Sequence, residues 1–352
     1  MILLLASGLT PKERETVRSE TAALARRVRV RLQALGPDQP GMLEAIPAPG
    51  RSEEELAAGF RALPGVEAVL TARRPAYRVA RRGRSPLCIR VGAAAFGAGL
   101  VTAIAGPCAV EEEQDLPALA VRLREAGAAC LRGGAFKPRT SPYTFQGLGR
   151  RGLEKLAEAG LAAGLPVVTE VLDPRDVEAV AACAQILQIG SRNMRNYALL
   201  AEAGAAGRPL LLKRGMSATL AEFLLAAEHL AHAGCEEILL CERGLRHFDP
   251  ALRNLLDLSA IPALRRETHL PVLVDPSHAT GRADLVPAMM AAAAAAGADG
   301  FLVEVHPQPE RSLSDPEQAL TPKAFAAALK DAEAVLRALD RRLVRPALPV
   351  PS

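Results

Sequence analysis

The chain has 352 residues, 49% hydrophobic and 23% charged, with a formal net charge of +4, which is ordinary for a soluble protein holding one large domain and a small one. The mild charge argues against a nucleic-acid partner, and no apolar run long enough for a membrane helix or a secretory signal is present, so no membrane partner is expected. Six scattered cysteines without a CxxC pair fit a reducing, cytoplasmic setting, with thiols serving as core residues or metal ligands.

Residues 1–84 read as a small separate unit. Strands are expected at 2–5, 28–32, 42–46 and 66–70, and helices at 11–25 and from Ser52 to about Leu63, the latter opened by a Ser52/Glu55 capping box. Residues 77–79 read as an extended continuation. The order β-α-β-β-α-β suggests a ferredoxin-like sandwich. Gly83-Arg84-Ser85-Pro86 reads as a linker, and 88–99 as a short hairpin leading into a second domain, 85–352.

From there apolar runs alternate with helical patterns. Strands are expected at 101–105, 129–132, 166–170, 186–189, 209–213, 237–241, 271–275 and 300–305, with helices such as 153–163, 220–233 and 285–296 between them. Eight such units in about 250 residues is the count and size of a (β/α)8 TIM barrel; a doubly wound open sheet ranks second. A last helix at 322–342 should pack outside, followed by a Pro-rich tail, 344–352, that frays.

In such a barrel the active site lies at the C-terminal ends of the strands. Those ends read AGPCAVE, LRGGAFKPRTSP, TEVLDP, IGSRNM, LLKRGM, CERGLRHF, DPSHATG and VEVHPQPERSLSD, and nearly every one supplies an ionisable or metal-binding group. One set is cationic: Arg132, Lys137, Arg139, Arg192, Lys213 and Arg243. Guanidinium and ammonium groups at that density repel one another unless anions sit between them, and Glu170 and Glu242 are too few to neutralise six cations. The chain writes Arg for most of its cations, so lysine at 137 and 213 points to a need for a titratable point charge. The other set is Cys108, His278, Glu304 and Asp315, from the first, seventh and eighth strand ends, which become neighbours when a barrel closes. A thiolate, an imidazole and two carboxylates suit one divalent Mn, Fe, Co or Zn ion better than Mg.

Taken together these motifs resemble 3-deoxy-D-arabino-heptulosonate 7-phosphate (DAHP) synthases of the type I beta form, over about residues 89–330, and residues 1–84 resemble the regulatory domain that some members carry. The resemblance implies condensation of phosphoenolpyruvate with erythrose 4-phosphate and water, the first step of the shikimate pathway to aromatic amino acids. It implies Cys108, His278, Glu304 and Asp315 as metal ligands, with Cys108, His278 and Lys137 taking part in catalysis and Lys137 as proton donor or relay. Arg132, Lys137, Lys213, Arg243 and Arg192 would surround phosphoenolpyruvate, and Arg139, Thr140, Ser141, Ser191 and Arg192 the aldose phosphate. It also implies a homotetramer and inhibition by an aromatic amino acid at the N-terminal unit. The similar 3-deoxy-octulosonate 8-phosphate synthases, which take arabinose 5-phosphate, write Asn-Arg where this chain has Pro138-Arg139-Thr140. His247 and Ser191 depart from the commoner Thr and Ala. A Schiff-base aldolase acting through Lys213 is the mechanistic rival.

Overall fold

The computed structural model describes residues 1–35, 41–72, 76–138 and 141–346. It divides into two compact units, Met1–Tyr77 and Arg78–Ser352.

In the first unit the elements run β1 (Ile2–Leu5), α1 (Pro11–Val28), β2 (Val30–Ala34), β3 (Met42–Pro47), α2 (Glu53–Arg61) and β4 (Val66–Leu70). Thr10 starts α1 with a reciprocal capping box to Glu13, and Ser52 caps α2 through the Glu55 N–H. The strands form one antiparallel sheet in the order β2-β3-β1-β4, the ferredoxin-like arrangement. Leu3, Leu5, Val30, Leu43 and Val69 bury against Val17, Leu56 and Phe60 of the helices, so alternation on the strands meets the apolar stripe of each helix.

The boundary falls after Tyr77 rather than after Arg84, because residues 78–84 belong to the second unit. The N–H groups of Arg78 and Val79 donate to Glu228 at 2.8 and 3.0 Å, Ala80 bridges to Thr268, and Arg81 N–H donates to the Glu267 carbonyl. Residues 77–79 therefore do not prolong the first sheet.

The second unit opens with a hairpin, β5 (Ile89–Val91) and β6 (Ala94–Phe96), followed by eight parallel strands: β7 (Leu100–Gly106), β8 (Cys130–Arg132), β9 (Val167–Glu170), β10 (Ile186–Ile189), β11 (Leu210–Lys213), β12 (Ile238–Glu242), β13 (Val272–Val274) and β14 (Gly300–Glu304). Each pairs with the next in parallel, and β14 pairs back onto β7 from Gly300↔Thr102 to Glu304↔Gly106, closing the barrel. Helices α3 (Leu116–Glu125), α4 (Arg150–Ala163), α5 (Val177–Cys183), α6 (Tyr197–Ala205), α7 (Leu220–His232), α8 (Ala260–Glu267), α9 (Pro276–Thr280), α10 (Val286–Ala296) and α11 (Pro322–Ala338) connect and follow the strands. One buried cluster joins Ile89, Val91 and Phe96 of the hairpin to Ile104, Val168, Leu211, Leu239, Leu273 and Leu302 of the strands. The hairpin is thus continuous with the barrel's apolar interior. Burying branched side chains from both directions stabilises each by about 1.5–3 kcal/mol.

The final helix ends at Ala338, and a two-residue strand, β15 (Arg342–Leu343), pairs with Leu100 and Val101 at the start of β7. Val344 N–H donates to the Val101 carbonyl at 2.8 Å, so the beginning of the tail is pinned, contrary to the expectation of fraying. Residues 347–352 lie outside the described residues.

A candidate metal centre beside an anion cleft

The first expected ligand follows β7. Gly106 ends that strand where a Cβ would stand 1.9 Å from the Arg132 carbonyl oxygen, so only glycine lets β7 and β8 run this close. Two residues on, Cys108 is buried, with its Sγ 3.0 Å from Lys137 Nζ, 3.0 Å from Ser314 Oγ and 3.2 Å from Asp315 Oδ2. Lys137 Nζ also donates to the Cys108 carbonyl at 3.0 Å.

His278 sits on α9, a short helix whose N-cap, Asp275, accepts from the His278 N–H at 2.9 Å. The other Asp275 oxygen lies 2.8 Å from His278 Nδ1, which turns Nε2 to within 3.1 Å of Glu304 Oε1. Glu304, at the end of β14, takes Arg132 Nη1 on Oε1 at 2.7 Å and Gln318 Nε2 on Oε2 at 2.6 Å. Asp315 follows on the loop beyond, with Oδ1 3.1 Å from Arg253 Nη1. The ligand atoms of Cys108, His278, Glu304 and Asp315 all lie within 4.8 Å of one another.

The electrostatics of the four suit a cation. Burial pushes the Cys108 thiol up to about 12, reinforced by Glu304 and opposed by Lys137 and Arg132. A thiol so placed ionises when a metal ion takes the proton's position. Burial holds His278 down to about 4 against the pull of Asp275 and Glu304, which leaves a neutral imidazole free to ligate. Burial alone would raise Glu304, but the neighbouring His278, Arg132 and Lys137 hold it down at about 2. Asp315 is likewise kept well below the carboxylate range, where Arg253 and His278 outweigh its burial. Two ligand atoms on opposite sides of one ion, at the usual bond lengths of roughly 2.0–2.3 Å, stand about 4.3 Å apart, so ligand atoms within 4.8 Å of one another fit a single divalent ion with sub-ångström adjustment.

Beside this cluster opens a cleft of about 360 Å³, lined by Lys137, Pro138, Ser141, Glu170, Ser191, Arg192, Lys213, Arg243 and Arg253, with His278 and Asp315 at one wall. Arg243 is its most telling member. The guanidinium is 5% exposed, yet its Nε and Nη1 have no protein partner. Burial pulls its pKa downward, Arg253 and Arg192 add to the fall, and the Asp275 carboxylate, itself paired with Lys213, opposes it only in part. An oxyanion in the cleft would satisfy it. Ser191 Oγ is another buried polar atom without a partner. Arg192 Nη1 donates to the Pro138 carbonyl at 3.3 Å, and Lys213 Nζ is ion-paired with the buried Asp275.

Placement differs from the sequence reading in several respects. Arg132 stands behind Glu304 and is not among the residues lining the cleft. Glu242, one of the two carboxylates weighed against the six cations, holds none of them; it takes Arg214 at 2.8 Å and the Gly244 N–H at 2.6 Å. Glu170 accepts from Gln188 Nε2 at 3.2 Å and faces the cleft. Arg139 and Thr140 lie outside the described residues. Sequence reasoning missed Asp275, Arg253 and Gln318. For Asp275 a signal existed: a carboxylate three residues before a ligating His in DPSH matches the common carboxylate–histidine–metal triad. Arg253 had none, since it sits on a loop.

The fold is a (β/α)8 barrel whose mouth brings Cys108, His278, Glu304 and Asp315 together as a cluster that could hold a metal ion, beside a cationic cleft. Residues 88–338 match the model of the DAHP synthetase I family. A Thermotoga maritima relative named phospho-2-dehydro-3-deoxyheptonate aldolase is 49% identical over 282 residues, 80% of this chain and 83% of its own. A crystal structure of phospho-2-dehydro-3-deoxyheptonate aldolase (DAHP synthase) from the same organism superposes with a TM-score of 0.76 at 42% identity, covering 97% of this chain and 98% of that one. A 2-dehydro-3-deoxyphosphooctonate aldolase from Nitratidesulfovibrio vulgaris is 35% identical over 251 residues, 66% of this chain and 90% of its own. The chain belongs to the DAHP synthetase I family.

Proposed function

We propose that this chain is a metal-dependent 3-deoxy-7-phosphoheptulonate synthase, joining phosphoenolpyruvate to erythrose 4-phosphate with uptake of water and release of phosphate. The observation that carries the reading is the buried, unpartnered guanidinium of Arg243 in a cleft whose wall is the Cys108–His278–Glu304–Asp315 cluster. It fits an enzyme that holds an anionic donor beside a carbonyl acceptor at the cluster.

In this reading Arg243, Lys213 and Arg192 bind phosphoenolpyruvate through charge-assisted hydrogen bonds, with Arg132 completing the positive field from behind Glu304. Ser141, Ser191 and Arg192, with Arg139 and Thr140, take the aldose phosphate. Cys108, His278, Glu304 and Asp315 would hold a divalent ion of the Mn, Fe, Co or Zn type, which would supply Lewis acidity toward the aldehyde. The new bond forms between C3 of phosphoenolpyruvate and the aldehyde carbon, whose oxygen takes a proton. Lys137, 3.0 Å from Cys108 Sγ, is the ammonium placed to deliver it. The C2=C3 electron pair having formed that bond, water oxygen adds to the electron-poor C2 and gives one proton back to Lys137; the C2–O bond to phosphate then breaks, the remaining hydroxyl becomes the ketone, and its proton leaves with the phosphate. Holding donor and acceptor in one cleft removes much of the entropic barrier.

Lys213 as a Schiff-base nucleophile is disfavoured because its Nζ is engaged by the buried Asp275 carboxylate. Arabinose 5-phosphate is the alternative acceptor; Pro138, in place of the Asn of the octulosonate synthases, favours the four-carbon sugar. The deciding experiment follows phosphate release from phosphoenolpyruvate with each aldose, with chelator and after Mn2+ or Zn2+ is restored. Turnover should need erythrose 4-phosphate and metal; metal-independent turnover trapped by borohydride would overturn the reading.

The resemblance also supports a cytoplasmic homotetramer inhibited by tyrosine or phenylalanine through residues 1–77. Among the described residues no helix is long and apolar enough to cross a membrane. Removing residues 1–77 should abolish the inhibition while the barrel keeps turnover.

A further inference from the structure

Two buried groups near the mouth take no part in the chemistry above, yet they tie together the segments that carry three of the four ligands. Glu111 lies three residues after Cys108, and His306 two residues after Glu304. Glu111 Oε1 accepts from the Leu313 N–H at 2.8 Å and the Ser312 hydroxyl at 3.2 Å, while Oε2 lies 3.7 Å from His306 Nε2. His306 is itself fixed: its N–H donates to the Leu320 carbonyl at 2.9 Å, and its Nδ1 lies 3.1 Å from the Gln308 N. The turn reached by Glu111 continues straight to the metal cluster. Ser312 Oγ accepts from the Ser314 N–H at 3.3 Å, Ser314 Oγ lies 3.0 Å from Cys108 Sγ, and Asp315 comes next.

Two physical facts make this arrangement consequential. Asp315 has φ 50°, left-handed backbone that a residue with a Cβ adopts only when its surroundings impose it. Its loop has no regular element longer than a 3-10 turn between β14 and α11, so packing of helix or strand does not supply that constraint. A buried carboxylate, in turn, is retained only where its hydrogen bonds and a counter-charge offset its desolvation. Burial acts to raise Glu111, but His306 and the Leu313 N–H outweigh it and hold the carboxyl below its ordinary range.

We propose that Glu111, backed by His306, is a positioning residue that clasps the 312–315 turn and so presents Asp315 to the divalent ion. It touches neither ion nor substrate. The inference rests on the metal-centre reading above and adds to it the residues that set the affinity of the site.

The test titrates Mn2+ alone, and Co2+ alone, into the metal-stripped full chain, following heat for the first and the visible absorption of the second. Glu111→Ala should weaken Mn2+ binding by about 10- to 100-fold, the usual effect of losing a group that orients a ligand. Its Co2+ spectrum should shift as Asp315 leaves the coordination shell. Glu111→Gln keeps an acceptor for Leu313 and Ser312 and should bind close to the parent. If Glu111→Ala does not fold, Glu111→Asp, one methylene short of the Leu313 N–H, should show the same weakening. Parent-like affinity in the Ala or Asp variant overturns the proposal, as does a Gln variant as weak as the Ala one. A parent that takes up no metal sinks the metal-centre reading and this inference with it. A parent that binds while the Ala variant binds equally sinks this inference alone.

Discussion

Asp275 and His278 hold each other twice within one short helix: one carboxylate oxygen caps the His278 N–H at 2.9 Å and the other lies 2.8 Å from the ring's Nδ1. Asp275 is kept well below the ordinary carboxylate range because His278 and Lys213 outweigh its burial. An ionised carboxylate can only accept, so Nδ1 carries the hydrogen and Nε2 is left to face the cluster.

Replacing that carboxylate should therefore be felt at the metal before it is felt in the fold. Asp275→Asn keeps the cap but removes the charge that orients His278 and pairs with Lys213. Divalent-metal affinity should fall by about 10- to 100-fold, read by chelator competition. An unchanged affinity would show that the ring orientation is set elsewhere.

Acid should weaken the metal-free protein through His278. Its folded value of about 4 lies below the ordinary 6.5, so between those pH values the unfolded chain binds a proton that the folded chain refuses. Stability then rises with pH across this window and is lost on acidification, by at most on the order of 3 kcal/mol. Below pH 4.5 Glu304, held at about 2, adds loss of the same sign. Denaturant melts of metal-free protein from pH 7 to 4.5 measure this directly, and His278→Gln should flatten the slope above pH 4.5. Since Cys108 sits near 12 without metal, loading should also release a proton and tighten as pH rises.

Two glycines at the strand ends should respond differently to the same added methyl group. At Gly106 the new carbon would meet a backbone oxygen, Arg132 O, at 1.9 Å, and neither strand can yield without opening the β7–β8 pair. Gly106→Ala should cost about 3 kcal/mol, the upper end for overpacking. At Gly190 the obstacle is Glu170 Oε1, also at 1.9 Å but on a side chain that can rotate into the cleft. Gly190→Ala should cost about 1 kcal/mol and chiefly impair turnover. Equal melting shifts for the two variants would contradict this distinction.

The barrel was legible because its strands are short continuous apolar runs at even spacing, each followed by a helix pattern, and all eight fall within a few residues of the expected positions. The convergence of Cys108, His278, Glu304 and Asp315 was legible for a topological reason: closure makes the first strand a neighbour of the eighth, which brings Cys108 beside Glu304. Pairing was not legible. Nothing in the string distinguishes Arg214 from Arg243, yet the first is neutralised by Glu242 and Asp257 while the second is left unpartnered. That choice is made by which way adjacent side chains point at a strand end, a matter of register rather than composition. The two-residue β15 was invisible for want of any periodicity, and the strap at 78–84 because its bonds reach residues some 150 positions away.

Arg243 is the sharpest test of the anion cleft. Its neighbour Glu242 fixes the turn beyond β12 by accepting from Gly244 N–H, and so directs the Arg243 guanidinium inward with its donors free. A buried guanidinium whose donors lack hydrogen-bond partners is costly, so Arg243→Met should leave the fold as stable as the parent or more so. Binding should show the opposite: losing a charge-assisted contact of this kind costs about 1.5–3 kcal/mol, or roughly 10- to 150-fold in affinity for phosphoenolpyruvate. Arg243→Lys supplies the charge but not the planar fork and should recover only part of the loss. Calorimetric binding of phosphoenolpyruvate to each variant, alongside denaturant melts, separates the two effects. If Arg243→Met binds phosphoenolpyruvate as the parent does, Arg243 is not the anion's partner and the cleft's cations serve the second substrate instead.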